Sequence, residues 1–177
     1  MTRPAVATIG ALLLTITLIG CLSSQQEPLV VFLVRHAEKA DLGEDPELSA
    51  AGHERSVALA AALRNSEIEY VHSSDYIRTR DTAAPMATDH GLEVELYDPR
   101  DLPALVERLR GSGGRHLVVG HSNTTPSMVE LLGGSPGSPI DEKAEYDRLY
   151  IVTIGGDGVV SSVMMRYGSA YQSGQEP

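Results

Sequence analysis

The chain has 177 residues, enough for one hydrophobic core of ordinary size. Its net charge of −10 argues against a general binder of nucleic acid or of anionic membrane. With no Trp and a single Phe, the core must be built from Val, Leu, Ile, Ala and Met, and the 12 Arg against 2 Lys leave many rigid, permanently charged forks for oxyanions.

In chain order, Arg3 precedes an apolar stretch over residues 6–19 that ends in Leu18-Ile19-Gly20-Cys21. A short positive start, a short apolar run and small residues at the end describe a secretory signal. The stretch is shorter than the roughly 20 residues of a spanning helix, which is the other reading. Its end resembles a bacterial lipoprotein signal. That resemblance implies removal of residues 1–20, lipidation of Cys21 and, with Leu22 rather than Asp next, a place on the periplasmic face of the outer membrane. Residues 21–28 then form a polar linker. Cys21 is the only cysteine, so the remaining domain, residues 29–177, has no disulfide, thiol nucleophile or thiolate metal site.

Residues 29–34 are continuously apolar after Pro28 and predict a strand buried on both faces. Residues 38–47 read as a loop. Helical spacing over 48–63, with Ser49 as N-cap, predicts a helix whose apolar positions include Val57, Leu59, Ala60 and Leu63. A strand over 68–72, a helix over 76–90 stopped by Gly91 and a strand over 92–97 follow. Asp101 caps a helix to 110, residues 116–119 form a buried strand, and a helix covers 126–132. Strands over 149–154 and 159–165 flank Gly-Gly-Asp-Gly, a hairpin signal. Alternating strands and helices predict an α/β three-layer sandwich around a mostly parallel sheet with an antiparallel edge.

Ligands of open α/β sheets bind at the carboxyl ends of the strands. Arg35 and His36 follow the first strand; Ser73, Ser74, Arg78 and Arg80 follow the second; Asp98 and Asp101 follow the third; His121 and Ser122 follow the fourth. Singly, each has an ordinary structural reading. Jointly, two histidines and two or three arginines converge on one edge.

Four stretches resemble the motifs of the histidine phosphatase, or phosphoglycerate mutase-like, superfamily. They are LVRHAEKA (33–40), ELSAAGHERS (47–56), SSDYIRTRDTA (73–83) and LVVGHSNTTP (117–126), in that order. The resemblance implies the phosphoglycerate mutase-like fold and a metal-independent phosphatase with no cofactor, acting on a small phosphorylated substrate. It makes His36 the nucleophile of a phosphohistidine intermediate, with Arg35, Arg78 and His121, helped by Ser122, around the phosphoryl oxygens. Neutral His36 needs a carbonyl to hold its tautomer, expected within 38–51, and His121 is expected to be protonated once a phosphate dianion is bound.

The chain departs from these motifs at the general acid. Asp98 is the candidate, with Glu95 and Asp101 as alternatives, although Asp101 is explained as a cap and Asp98 could be only a turn residue before Pro99. Without an acid, the readings of a phosphoramidate or protein-phosphohistidine phosphatase, or of a non-catalytic anion-binding lipoprotein, stay open. Glu38 is expected to pair with Lys39 or a nearby Arg. His53 and Arg55 read as solvated, His72, His90 and His116 as structural, and residues 141–148 as a solvated loop that could rim the pocket. Substrate identity and oligomeric state have no readable code.

Overall fold

The computed structural model describes residues 27–172. The lipobox, Cys21 and most of the linker lie outside these residues. The elements are β1 (Leu29–Arg35), α1 (Ala50–Leu63), β2 (Tyr70–Ser74), α2 (Ile77–His90), β3 (Val94–Tyr97), α3 (Leu102–Ser112), β4 (Gly114–Gly120), α4 (Thr124–Leu131), β5 (Arg148–Ile154) and β6 (Val160–Arg166). The six strands form one sheet in the order β3-β2-β4-β1-β5-β6. β3, β2, β4 and β1 are mutually parallel, and β5 and β6 each pair antiparallel with the preceding neighbour. The fold is therefore the expected α/β sandwich with a mostly parallel sheet.

Local chemistry sets the element ends. Ser49 caps α1 by accepting from the Gly52 amide, and Asp101 caps α3 by accepting from Ala104. Gly91 ends α2 in the left-handed region, at φ 65°. All seven residues of β1 are buried, as its unbroken apolar run requires of a central strand. One core layer packs Val30, Phe32, Val34, Val71, Leu117 and Val119 against Leu59, Leu63, Ala83 and Met86 of α1 and α2. The other packs Val31, Leu33, Val118 and Tyr150 against Leu105, Leu109, Met128 and Val129 of α3 and α4. Truncating one fully buried member, such as Leu33→Ala, would cost about 2–5 kcal/mol.

Three expectations need correction. Val57 is exposed, because α1 turns only Leu59, Ala60 and Leu63 of that set inward. β2 runs two residues further than predicted, so Ser73 and Ser74 are buried strand residues rather than loop. Residues 141–148 are not a solvated loop: Glu145, Tyr146, Asp147 and Arg148 are all buried.

Topology places the site. α1 leaves β1 toward one face of the sheet and α4 leaves β4 toward the other, so a crevice opens between the carboxyl ends of these adjacent strands. Arg35 is in register with Gly120, which sets His36 and His121 side by side just beyond the sheet.

Candidate active site

The His36 amide donates to the Gly120 carbonyl (2.8 Å), carrying the β1–β4 register one residue past the strands. The two imidazoles meet edge to face with centroids 5.4 Å apart. Gly120, just before His121, has no room for a side chain: a Cβ there would lie 2.8 Å from Thr124 Oγ1 and 3.0 Å from the Tyr97 hydroxyl. Thr124 Oγ1 accepts from the His121 amide (2.9 Å), so the crowding atom is itself part of the His121 support.

His36 is buried, and its Nδ1 lies 2.7 Å from the Ala37 carbonyl. A carbonyl can only accept, so Nδ1 carries the proton and Nε2 keeps its lone pair. The tautomer-fixing carbonyl is thus that of Ala37, one residue before the segment expected to supply it. Ala37 is fixed in turn by its amide, which donates to Thr82 Oγ1 of α2 (2.9 Å). Burial first, then the charges of Arg35, His121 and Arg78, push the His36 pKa down to about 3, against the opposing pull of the Ala37 hydrogen bond. The imidazole is neutral at ordinary pH, as a nucleophile must be.

His121 Nε2 lies 2.9 Å from Ser74 Oγ, which donates to Thr79 Oγ1 (3.1 Å), which in turn bonds the Ser74 carbonyl (2.8 Å). That chain of donors leaves Ser74 accepting from His121 Nε2–H and Nδ1 as the basic nitrogen. Burial, then Arg78 and Arg35, lower the His121 pKa to about 4. The free site therefore holds His121 neutral at ordinary pH.

The arginines are each held on one side and open on the other. Arg35 Nη1 donates to the carbonyls of Asp141 (3.2 Å) and Glu145 (2.9 Å), and Nη2 donates to that of Glu142 (2.5 Å). Its guanidinium carbon stands 3.9 Å from the centroid of the Tyr146 ring. Of five N–H donors three are used; the Nε–H and one Nη2–H remain, and Nε and Nη2 are the pair of nitrogens along one edge of the guanidinium, the edge a bidentate oxyanion uses. Arg78 lies over Tyr76 (4.5 Å) and gives Nη1 to Asp45 Oδ1 (3.3 Å). Nε of Arg35 and Nε of Arg78 are both buried without a hydrogen-bond partner. A buried unpaired donor costs about 1–3 kcal/mol, more on a charged group, and two beside a nucleophilic nitrogen suit an oxyanion with several acceptors.

Ser122 lies on a cleft of about 380 Å³ shared with Asn123, Pro126, Pro139 and Glu142. Asp98 is not drawn into the cluster. It is exposed, takes two hydrogen bonds from the Arg100 side chain (both 2.9 Å) and one from the Arg100 amide, and these hold its carboxyl below the usual range. An acid poised to donate at neutral pH needs the opposite shift. Asp98 does line a cleft of about 520 Å³ with Tyr76, whose ring meets His121 edge-on at 5.0 Å. Of the alternative acids, Asp101 is the α3 cap and Glu95 lies 3.4 Å from His72.

Sequence reasoning missed Asp45 and Tyr146, which lie outside the four motifs, and Tyr76, which lies within 73–83 but is none of the residues to which the resemblance gives a role, and it misread Arg55. Arg55 is buried, chelates the Glu38 carboxylate with Nε and Nη2 (2.8–3.0 Å) and donates to the carbonyls of Tyr167 and Ser169. Arg55 lies three residues after Gly52, one turn further along α1. Gly52 itself is obligatory, since a Cβ would sit 2.3 Å from the Glu38 carbonyl oxygen.

The fold is that of the phosphoglycerate mutase-like histidine phosphatases. The family profile of the histidine phosphatase superfamily (branch 1) matches residues 31–111, from β1 through α3, which includes Arg35, His36 and Arg78 and stops short of His121. Among solved structures, the protein histidine phosphatase SixA complexed with tungstate is similar at TM-score 0.62 and 22% identity, over 77% of this chain and 96% of that one. A mycobacterial glucosyl-3-phosphoglycerate phosphatase is similar at TM-score 0.62 and 13% identity, over 81% and 100%. Phosphoserine phosphatase from Entamoeba histolytica, in complex with 3-phosphoglyceric acid, is similar at TM-score 0.58 and 15% identity, over 80% and 97%. No curated protein sequence matches this chain.

Proposed function

We propose that the protein is a metal-independent phosphatase that hydrolyses a small phosphomonoester through a phosphohistidine on His36. The observation that carries the reading is the His36 Nε2 lone pair beside two guanidinium groups whose buried Nε donors have no partner. The profile match over 31–111 and the fold shared with solved phosphatases support it.

In the first step Nε2 attacks phosphorus, the bond to the leaving oxygen breaks with its electron pair on that oxygen, and the alcohol forms with a proton from solvent. Arg35, Arg78 and His121, with Ser122 at the mouth, neutralise charge on the phosphoryl oxygens. The Ala37 carbonyl takes up the positive character that develops on the His36 ring. In the second step water attacks phosphorus, the N–P bond breaks, Nε2 recovers its lone pair, and inorganic phosphate leaves with the water's proton released.

One observation favours a second reading of the substrate. Asp98 is paired with Arg100 and neither Glu95 nor Asp101 bonds the imidazole of His36 or His121, so the leaving group receives little protonation. A phosphoramidate, such as protein phosphohistidine, leaves through a nitrogen that protonates unaided. A non-catalytic anion-binding role would keep the forks and dispense with turnover. For residues outside the described range we propose lipidation at Cys21 and attachment at the periplasmic face of the outer membrane, on the lipobox resemblance.

Steady-state hydrolysis of p-nitrophenyl phosphate with EDTA present tests the reading, alongside phosphoramidate as substrate. Turnover that survives the chelator and is lost in His36→Ala is the expected result. Turnover of phosphoramidate alone selects the second reading. Binding of tungstate without turnover of either selects the anion-binding role.

A further inference from the structure

The loop between α4 and β5 does more than rim the site. Three backbone carbonyls of this loop, those of Asp141, Glu142 and Glu145, accept the outward donors of Arg35, and its Tyr146 ring supports the guanidinium face. Isolated turns do not hold three carbonyls at such a convergence. Here the turn is fastened from behind by a buried ion cluster. Glu145, 3% exposed, receives Arg148 Nε on Oε1 (2.7 Å) and Arg148 Nη2 on Oε2 (2.8 Å). Its Oε1 also takes Arg166 Nη2 (3.0 Å), and its Oε2 takes the Asp141 amide (3.0 Å), closing the turn on itself. Arg148 then reaches Ser138 and Pro139 carbonyls and the Tyr150 hydroxyl, tying the turn to the preceding loop and to β5. Arg166 joins Asp147 to β6.

The carboxylate has every lone-pair direction used by a named donor. Burial works against its charge, yet hydrogen bonds from Arg148, the Asp141 amide and Arg166 keep its pKa below the ordinary carboxyl value. Such a cluster adds little net stability over an apolar replacement, and its best-attested use is to specify one geometry. The geometry specified here ends on Arg35.

We propose that Glu145 is a positioning residue for the oxyanion site: through Arg148, Arg166 and the Asp141 amide it holds the 141–146 turn in the shape that consumes three donors of Arg35 and leaves the Nε/Nη2 edge as a fork. This rests on the reading of Arg35 as an oxyanion ligand. Glu145 touches no substrate and acts only through Arg35. Loss of the carboxylate frees the turn, and the carbonyls no longer fix which edge of the guanidinium is open.

A double-mutant cycle separates positioning from general damage. Glu145→Gln is made in the wild-type protein and in Arg35→Ala, with p-nitrophenyl phosphate kinetics and tungstate binding by calorimetry on each. In the wild-type background tungstate affinity and kcat/KM should fall on the order of tenfold or more, within the range of losing one charge-assisted hydrogen bond. In Arg35→Ala the same substitution should change neither by more than about twofold, because the residue it positions is gone. Equal losses in both backgrounds, or no loss in the wild type, overturn the proposal. Should Glu145→Gln fail to fold, Glu145→Met with Arg148→Met removes both buried charges together. The same non-additivity is then expected, and additive losses overturn the proposal. A wild-type protein that neither binds tungstate nor turns over any phosphoryl substrate would instead remove the reading of the site, and this inference with it. Binding with additive losses leaves that reading standing.

Discussion

His36 and His121 stand 5.4 Å apart at the carboxyl edge of the sheet, and His72 and His116 stand 5.2 Å apart within it, on β2 and β4. All four are lowered in pKa with burial as the first cause, His36 and His72 to about 3 and His121 to about 4. By burial and titration the two pairs resemble one another. They differ in where their nitrogens go. His116 Nε2 donates to the Gly113 carbonyl (2.7 Å), so its Nδ1 accepts from His72 Nε2 (2.9 Å), and the rings stack at 21° with Tyr70 against His116. His36 and His121 make no hydrogen bond to each other; each is anchored by one nitrogen to the Ala37 carbonyl or the Ser74 hydroxyl, and their neighbours include two guanidiniums with unpaired Nε donors. A displaced pKa does not mark a site by itself. Open donor edges around an available lone pair do.

The largest test of that difference is at the proposed nucleophile. His36→Ala should reduce turnover toward background, on the order of 10⁶-fold for a residue that forms the covalent intermediate. His72→Phe should leave kcat within about twofold while lowering stability by about 1–3 kcal/mol, the cost of stranding His116 Nδ1; thermal unfolding and kinetics on both variants read this directly. If His72→Phe abolished turnover with the fold intact, the two pairs would not be functionally distinct. Next in size, Arg78→Ala should lower kcat/KM by about 10²- to 10³-fold, as for other preorganised oxyanion donors. Gly120→Ala should lower turnover as well, since the new methyl meets Thr124 Oγ1 at 2.8 Å and displaces the His121 support.

A pH series sharpens the comparison further. Because the folded values are depressed, the unfolded chain takes up protons below about pH 6.5 that the fold refuses. Stability should therefore be fully present above pH 6.5 and fall as pH drops toward about 3, the range spanned by His36, His72 and His121. His72→Phe should flatten that slope in denaturant titrations. His36 stays unprotonated through the same range, so kcat/KM should show no loss from its titration between pH 7 and 5. An acid limb assigned to His36 near pH 6.5 would refute its burial. The smallest effect is expected at Asp98: Asp98→Asn should change p-nitrophenyl phosphate turnover by less than about threefold, since its carboxyl is spent on Arg100. A drop of two orders of magnitude would restore it as the general acid.

Much of this arrangement was legible in the chain because it depends on local rules. An unbroken apolar run specifies β1, Ser49 and Asp101 specify helix starts, and residues just past parallel strands meet at one edge, which brings Arg35, His36, Arg78 and His121 together. What was not legible depends on distant partners. Arg55 looks solvated beside His53, yet it is buried because Glu38 and the Tyr167 and Ser169 carbonyls receive it. The acidic segment 141–148 looks like a solvated loop, yet Arg148 and Arg166 draw Glu145 and Asp147 inside. Asp98 was attractive by position, and its carboxylate is paired with its neighbour Arg100. In each case a charge partner, invisible to periodicity, decides the environment of the group.

The most direct measurement is a rapid acid-free quench during turnover of a labelled phosphomonoester or phosphoramidate, followed by mapping of the labelled peptide. The account predicts a label that is stable in alkali, labile in acid and confined to His36, absent from His36→Ala and retained in His72→Phe. An active enzyme with no such label, or with the label on any other residue, would contradict it.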